Sequence, residues 1–157
     1  MGGDLALLVA EQMQVTACVP ISAPMAVKNR LMFLARPASM FVKTILWKGD
    51  PERAAMLDQR YDYGYPGFPT RTAADLNHLI HLARRNLHAV TCPVLAVQSH
   101  ADETVSEDSA EVIVRGVSSK KKGVLWLEEV PHVCTLSREV GNIAQAMGEL
   151  FCEAERD

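Results

Sequence analysis

Two short segments of this chain hold residue types able to move a proton: Ser99-His100-Ala101-Asp102-Glu103-Thr104-Val105 and Glu129-Val130-Pro131-His132-Val133-Cys134. Each follows directly on an apolar run, 93–98 and 124–128, of the length and composition of a buried strand. A serine hydroxyl is a poor nucleophile at neutral pH. An imidazole must accept its proton, and a carboxylate must hold that imidazole in one tautomer and stabilise the imidazolium that forms. An aspartate on one strand-end loop and a histidine on the next, in that order, is the arrangement such an acid and base require on an open parallel sheet. Asp102 is therefore the candidate acid and His132 the candidate base. Taken singly, Asp102 reads as a turn or cap residue and His132 as a loop residue packing on Trp126; their joint register with the strands speaks for chemistry.

Other reactive types are less well placed. Ser22, Ser99, Ser106 and Ser137 all lack the small-residue setting that lets a serine stand on a sharp strand-to-helix turn. Cys134 lies two residues from His132 on the same loop, where a structural thiol is expected. His78 and His81 share a helix face at a spacing that can ligate a metal, but no Cys, Asp or Glu is placed with them, and with His88 they read as polar-face histidines. His100, beside the acid, reads as structural. Cys18, Cys92, Cys134 and Cys152 are widely separated with no C-x-x-C spacing, so neither a zinc site nor a disulfide framework is expected. No metal and no cofactor is called for.

The elements that must position the pair follow from the apolar pattern. Residues 3–13 have helical spacing, and 15–21 form a β-rich run closed by Ser22-Ala23-Pro24-Met25. Residues 26–88 differ in character and read as an inserted helical cap. Helices are predicted over 38–48 and 51–60, then an aromatic, Gly- and Pro-rich connector over 61–69, then an amphipathic helix over 72–87 with Leu76, Leu79, Ile80, Ala83 and Leu87 on one face. The last third has the βαβα rhythm of a parallel sheet: strand 93–98, helix 109–117 with Ser106 or Glu107 near its N-cap, strand 124–128, and a terminal helix over 136–154 with Ile143, Met147, Leu150 and Phe151 as its core stripe. The whole of 1–157 reads as one layered α/β domain.

Composition bounds the function class. At 157 residues, 48% apolar and 22% charged, the chain is an ordinary globular domain. A net charge of −3 and a single basic run, Lys120-Lys121-Lys122, leave no footprint for nucleic acid. The longest apolar stretch, Leu5 to Ala10, is too short to span a bilayer and has no basic segment before it, so a cytoplasmic location is expected. Ala6 stands where a myristoylation signal needs Ser or Thr.

The stretch C-P-V-L-A-V-Q-S-H-A-D-E-T-V, the later P-H-V-C-T-L and the final helix are together similar to the C-terminal segment of α/β-hydrolases of the bacterial carboxylesterase and monoglyceride-lipase type. Met1-Gly2-Gly3 resembles the tail of that family's G-x-S-M-G-G nucleophile elbow, and Ser22-Ala23-Pro24-Met25 its S-A-P-M after the sixth strand. Pro131 departs from the family's usual Gly before the histidine. The resemblance implies a truncated α/β-hydrolase fold of three layers: the last three parallel strands, their flanking helices and a helical cap. It makes Met1 the residue whose amide helps hold an oxyanion, and it sets the family's serine immediately before Met1, predicting a Gly-x-Ser in upstream coding sequence. Met25, Val105 and Val133 are the candidate pocket residues, and the Met-rich cap (Met25, Met32, Met40, Met56) with the 61–69 connector could line an acyl or alcohol site or only pack the cap. Three readings stay open: carboxylic ester hydrolysis through an acyl-enzyme, by a half that is inactive alone; a non-catalytic oligomeric remnant or interaction module; and acyl transfer or another chemistry on the same scaffold. A small ester is the expected substrate. An edge strand without its neighbour leads us to expect a homo-oligomer.

Overall fold

The computed structural model describes residues 1–28, 34–46 and 67–156, with Glu52 and Met56. Helix α1 (Gly2–Gln12) buries Leu7 and Ala10, three residues apart on one face, and ends where Met13 turns extended while its N–H still bonds the Val9 carbonyl. Strands β3 (Val94–Ser99) and β4 (Lys122–Leu127) pair in parallel, Val94 opposite Lys122 and Ser99 opposite Leu127. On the other side of β3 runs the extended segment 18–21, with Cys18 opposite Val94 and Ile21 opposite Val97, also parallel.

The strand expected over 15–21 is thus reduced to two bridges, and Pro20 is the cause. The amides of Cys18 and Ser22 donate to Pro93 and Val97, and those of Leu95 and Val97 donate to Cys18 and Pro20. Between them Pro20 has no N–H to offer, so the ladder breaks in its middle.

Side chains alternate across this sheet and split the core into two layers. Cys18, Val94, Ala96, Val124 and Trp126 pack with α1, with α3 (Thr70–Asn86) and with α4 (Asp108–Gly116). Val19, Ile21, Val97, Leu125 and Leu127 pack instead with α5 (Val140–Ala154), through Ile143 and Met147. Helices on both faces of a parallel sheet give the expected three layers. Phe151, assigned to the core stripe of α5, is exposed, whereas Ile143 and Leu150 are buried.

The cap region departs from its predicted form. In place of the helix expected over 38–48, of which 47 and 48 lie outside the described residues, there is one helical turn, α2 (Ala35–Ala38), and then strand β1 (Thr44–Leu46), paired antiparallel with β2 (Gly67–Pro69). The β-branched Val42, Thr44 and Ile45 favour extended backbone once a partner is present. Gly67 makes the pairing possible, since a Cβ there would stand 2.2 Å from the Ile45 carbonyl oxygen. Pro69 stops the ribbon and leads directly into α3. The helix expected over 51–60, apart from Glu52 and Met56, lies outside the described residues, as do Met32 and residues 61–66 of the connector.

Candidate active site

The acid loop leaves the end of β3 and is wound around one carboxylate. Asp102 is buried, and its Oδ1 accepts the amides of Thr104 (2.8 Å) and Val105 (2.9 Å), a turn in which an aspartate caps its own following backbone. Its Oδ2 faces the base loop, where the Nδ1 of His132 lies 2.8 Å away. A second donor, the Nε2 of Gln98, reaches Oδ2 at 3.2 Å from within β3. Burial disfavours the charge on Asp102, but the hydrogen bond from His132 and the amides of Val105 and Thr104 outweigh it and hold the carboxyl below its ordinary range.

The base loop is clamped from two directions. The buried Ser99 hydroxyl donates its one proton to the Val130 carbonyl (2.6 Å), with the Glu128 carbonyl 3.1 Å away, and accepts the Ala101 amide (3.1 Å), so one side chain ties the acid loop to the base loop. The Ser22 hydroxyl donates to the His132 carbonyl at 3.2 Å. Ser22 has φ of +45°, a strained conformation for a side-chain-bearing residue, and it stands on the floor of the site. Pro131 and Val130 are buried, and beyond them His132 is 29% exposed at its side chain. With Nδ1 on the carboxylate, the ring is held so that Nε2 is left to meet a reactant.

That ring opens on a cleft of about 360 Å³ lined by Met1, Val19, Ile21, Ser22, His132 and Val133, with Cys134 at its base. The structure therefore brings Met1 and Val133 together with His132. It does not bring Met25 or Val105 there. Met25 is buried in the core beneath α1, α3 and α4, and Val105, also buried, is bridged to Val27. A larger open concavity of about 660 Å³, lined by Arg36, Arg71, Asp75 and His78 among others, lies between α2 and α3. Neither Asp102 nor His132 lines it, so the smaller cleft is the candidate site.

Ser22, Ser99, Ser137 and His100 have structural partners, and Ser106 lies outside the lining of the cleft. Ser99 and Ser22 spend their hydroxyls on backbone carbonyls, and Ser137 donates to the Cys134 carbonyl at 2.7 Å. Cys134 is buried, which pushes its thiol up, away from the reactive thiolate form. It is His100, not His132, that packs on Trp126: the rings stack with centroids 4.5 Å apart and 11° between planes, and His100 Nδ1 also meets Glu107. His78, His81 and His88 are exposed. Sequence reasoning missed Gln98 and the binding roles of Ser99 and Ser22. A polar pair, Gln98-Ser99, ending an otherwise apolar strand was the available signal.

No family model matches the chain. A carboxylesterase of Bacillus subtilis (strain 168) is 26% identical over 152 residues, which are 96% of this chain and 60% of that protein. A thermostable monoacylglycerol lipase of Bacillus sp. (strain H-257) is 28% identical over 92 residues, 59% of this chain and 37% of the lipase. Among solved structures, one described under the metagenome-derived lipolytic enzymes LipS and LipT superposes with a TM-score of 0.84 at 26% identity, over 98% of this chain and 62% of that one. The chain thus spans less than two thirds of each relative's length. The three layers and these relatives agree: the chain has the fold of a partial α/β-hydrolase and is similar to carboxylesterases and monoacylglycerol lipases, with Asp102 and His132 on successive strand-end loops.

Proposed function

We propose that this chain supplies the acid and the base of a serine-dependent carboxylic ester hydrolase, Asp102 orienting His132 and His132 accepting the proton of an attacking serine hydroxyl. The observation that carries the reading is the 2.8 Å contact between the buried Asp102 Oδ2 and His132 Nδ1 at the mouth of the cleft. In the first half-reaction the serine oxygen would add to the ester carbonyl as its proton passes to His132. His132 would then return that proton to the departing alkoxide, leaving an acyl-enzyme that water hydrolyses by the same route. Met1 lines the cleft, and its backbone nitrogen, which in this chain lies 3.3 Å from the buried Asp4 Oδ2, is the group we assign to the oxyanion. Val133 and Ile21, apolar and lining the cleft, would face the acyl or alcohol group.

Among the described residues no serine hydroxyl is hydrogen-bonded to the His132 ring, and so we expect the 157-residue chain to be inactive by itself. Self-association through the open edge of segment 18–21 completes the proposal. No helix among the described residues is long and apolar enough to cross a membrane.

The test is hydrolysis of p-nitrophenyl acetate by the chain alone and by the chain fused to the part of the Bacillus subtilis carboxylesterase that its match leaves uncovered. We expect no turnover above background from the first. From the second we expect turnover that falls on the order of 10⁴-fold with His132→Ala or Asp102→Asn. Turnover by the chain alone that vanishes with His132→Ala would show a nucleophile within it, and a fusion indifferent to both substitutions would remove the assignment of the pair.

A further inference from the structure

We infer that Gln98 is a positioning residue of this acid and base, a second donor on the carboxylate oxygen that holds His132. The inference rests on the reading of Asp102 and His132 given above. Gln98 occupies the next-to-last position of β3 and is 1% exposed, in a strand whose earlier members, Val94 to Val97, are all apolar. A primary amide buried there costs on the order of 1–3 kcal/mol unless its hydrogen bonds are made, so packing alone would favour an aliphatic residue. Its Nε2 instead finds Asp102 Oδ2 at 3.2 Å, with the Ser99 carbonyl at 3.5 Å.

The count of donors gives the amide its role. A carboxylate offers about four lone-pair directions. Here Oδ1 takes the amides of Thr104 and Val105, and Oδ2 takes His132 Nδ1 and Gln98 Nε2. All four directions are filled, no room is left for a proton, and the carboxylate cannot rotate without breaking bonds at both oxygens. Without Gln98, Oδ2 would be held by the imidazole alone, the very group it has to aim. The amide does not itself titrate in this range, so it restrains Asp102 without competing for the proton His132 must carry.

In the unmutated, isotope-labelled chain, nuclear magnetic resonance can follow the Gln98 side-chain amide and the His132 ring across pH. Because the two share Oδ2, the amide signals should move with the same midpoint as the ring signals, and Asp102→Asn should abolish that common response. Amide signals that stay flat while the ring responds to Asp102→Asn would overturn the role of Gln98 and leave the pair intact. A ring indifferent to Asp102→Asn would instead sink the acid and base reading.

Two variants extend the test in the hydrolytic fusion. Gln98→Met keeps the volume and removes the donor; we expect kcat to fall on the order of 10-fold with KM little changed, as for a base mis-aimed rather than absent. Gln98→Glu puts a second carboxyl beside Asp102, and two carboxyls at one site cannot both ionise. That variant should bind about one extra proton per chain above the ordinary carboxylate range and should shift the acidic limb of the pH–rate profile. An unchanged kcat in Gln98→Met together with an unchanged pH profile in Gln98→Glu would refute the proposal.

Discussion

Asp102 stays charged in a place where burial alone would neutralise it, because its hydrogen bonds favour the carboxylate more than desolvation opposes it. A carboxyl whose pKa is lower in the folded than in the unfolded chain binds fewer protons when folded. Its stabilisation is complete above the ordinary value of 3.8 and is lost as pH falls through 3.8 and then through the folded value. Urea unfolding should therefore show Asp102→Asn less stable than the unmutated chain at pH 7, with the gap closing below pH 4; a gap constant across that range would contradict the hydrogen-bonded carboxylate. Glu11 on α1 has the opposite sign. Burial pushes it up to about 7 from 4.5, and its Oε1 is buried without a partner. The folded chain then holds an extra proton between those values, so this contribution is full at low pH and is lost as pH rises toward about 7. Glu11→Gln should stabilise the chain by about 1 kcal/mol at pH 8, allowing for solvent screening of a half-buried group, and by nothing at pH 4. An equal effect at both pH values would argue against a desolvated Glu11. Asp102 and His132 were legible in the sequence because their types and their places after two apolar runs agreed. The partners of Gln98 and Ser99 were not: two polar residues ending an apolar strand mark the place, but which groups their side chains meet leaves no periodic trace.

At the scale of elements, the tight joint is between the start of α1 and the turn that follows segment 18–21. A Cβ on Gly3 would stand 2.5 Å from the Ala23 Cβ and 3.1 Å from the Ile21 carbonyl oxygen, so the helix reaches the cleft only because this position is a glycine. Gly3→Ala should cost about 1–3 kcal/mol, read as a lowered urea midpoint, and in the fusion should reduce hydrolysis by displacing Met1. Gly2→Ala, whose Cβ would meet nothing within 4 Å, is the control and should be near neutral. The long helices α1, α3, α4 and α5 were legible to within a few residues, α3 and α5 with buried residues (Ile80 and Ala83, Ile143 and Leu150) that their apolar stripes named. Helix α1 was read from Leu5, Leu8, Val9 and Met13, of which Leu5, Val9 and Met13 are exposed while Leu7 and Ala10 form the buried face. β1 and β2 were not legible, because a three-residue ribbon draws its stability from a partner more than twenty residues away. The strand expected over 15–21 overlooked Pro20, and only the register against β3 shows which hydrogen bond it removes.

For the whole molecule, the exposed surface is uneven. Met1, Leu5, Val9 and Met13, spaced four residues apart, form an exposed apolar stripe along α1 opposite to its buried face. Beside it the backbone groups of Val19 and Ile21 have no backbone partner among the described residues, since only the alternate residues of that segment bond to β3. Light scattering behind size exclusion should find the purified chain associated, and Leu5→Glu with Val9→Glu should shift it to monomer with an unchanged far-ultraviolet spectrum. A monomer before substitution would remove the homo-oligomer.

By itself the sequence determined the α/β rhythm, the helices on the last strands and the two strand-end loops that carry Asp102 and His132, because each is written in local spacing: a period near 3.6, a short apolar run, a polar loop after it. Only the tertiary structure decided which groups meet. The acid loop and the base loop are thirty residues apart in the chain and become neighbours because β3 and β4 pair in parallel, in register from Val94 and Lys122 to Ser99 and Leu127. That pairing sets Asp102 against His132 and lets Ser99 span both loops, while the turn after β3 folds Asp102 back onto Gln98 and α1 carries Met1 to the cleft. It also drew Met25 and Val105 away into the interior, since an apolar side chain near a site is buried wherever the layers close over it.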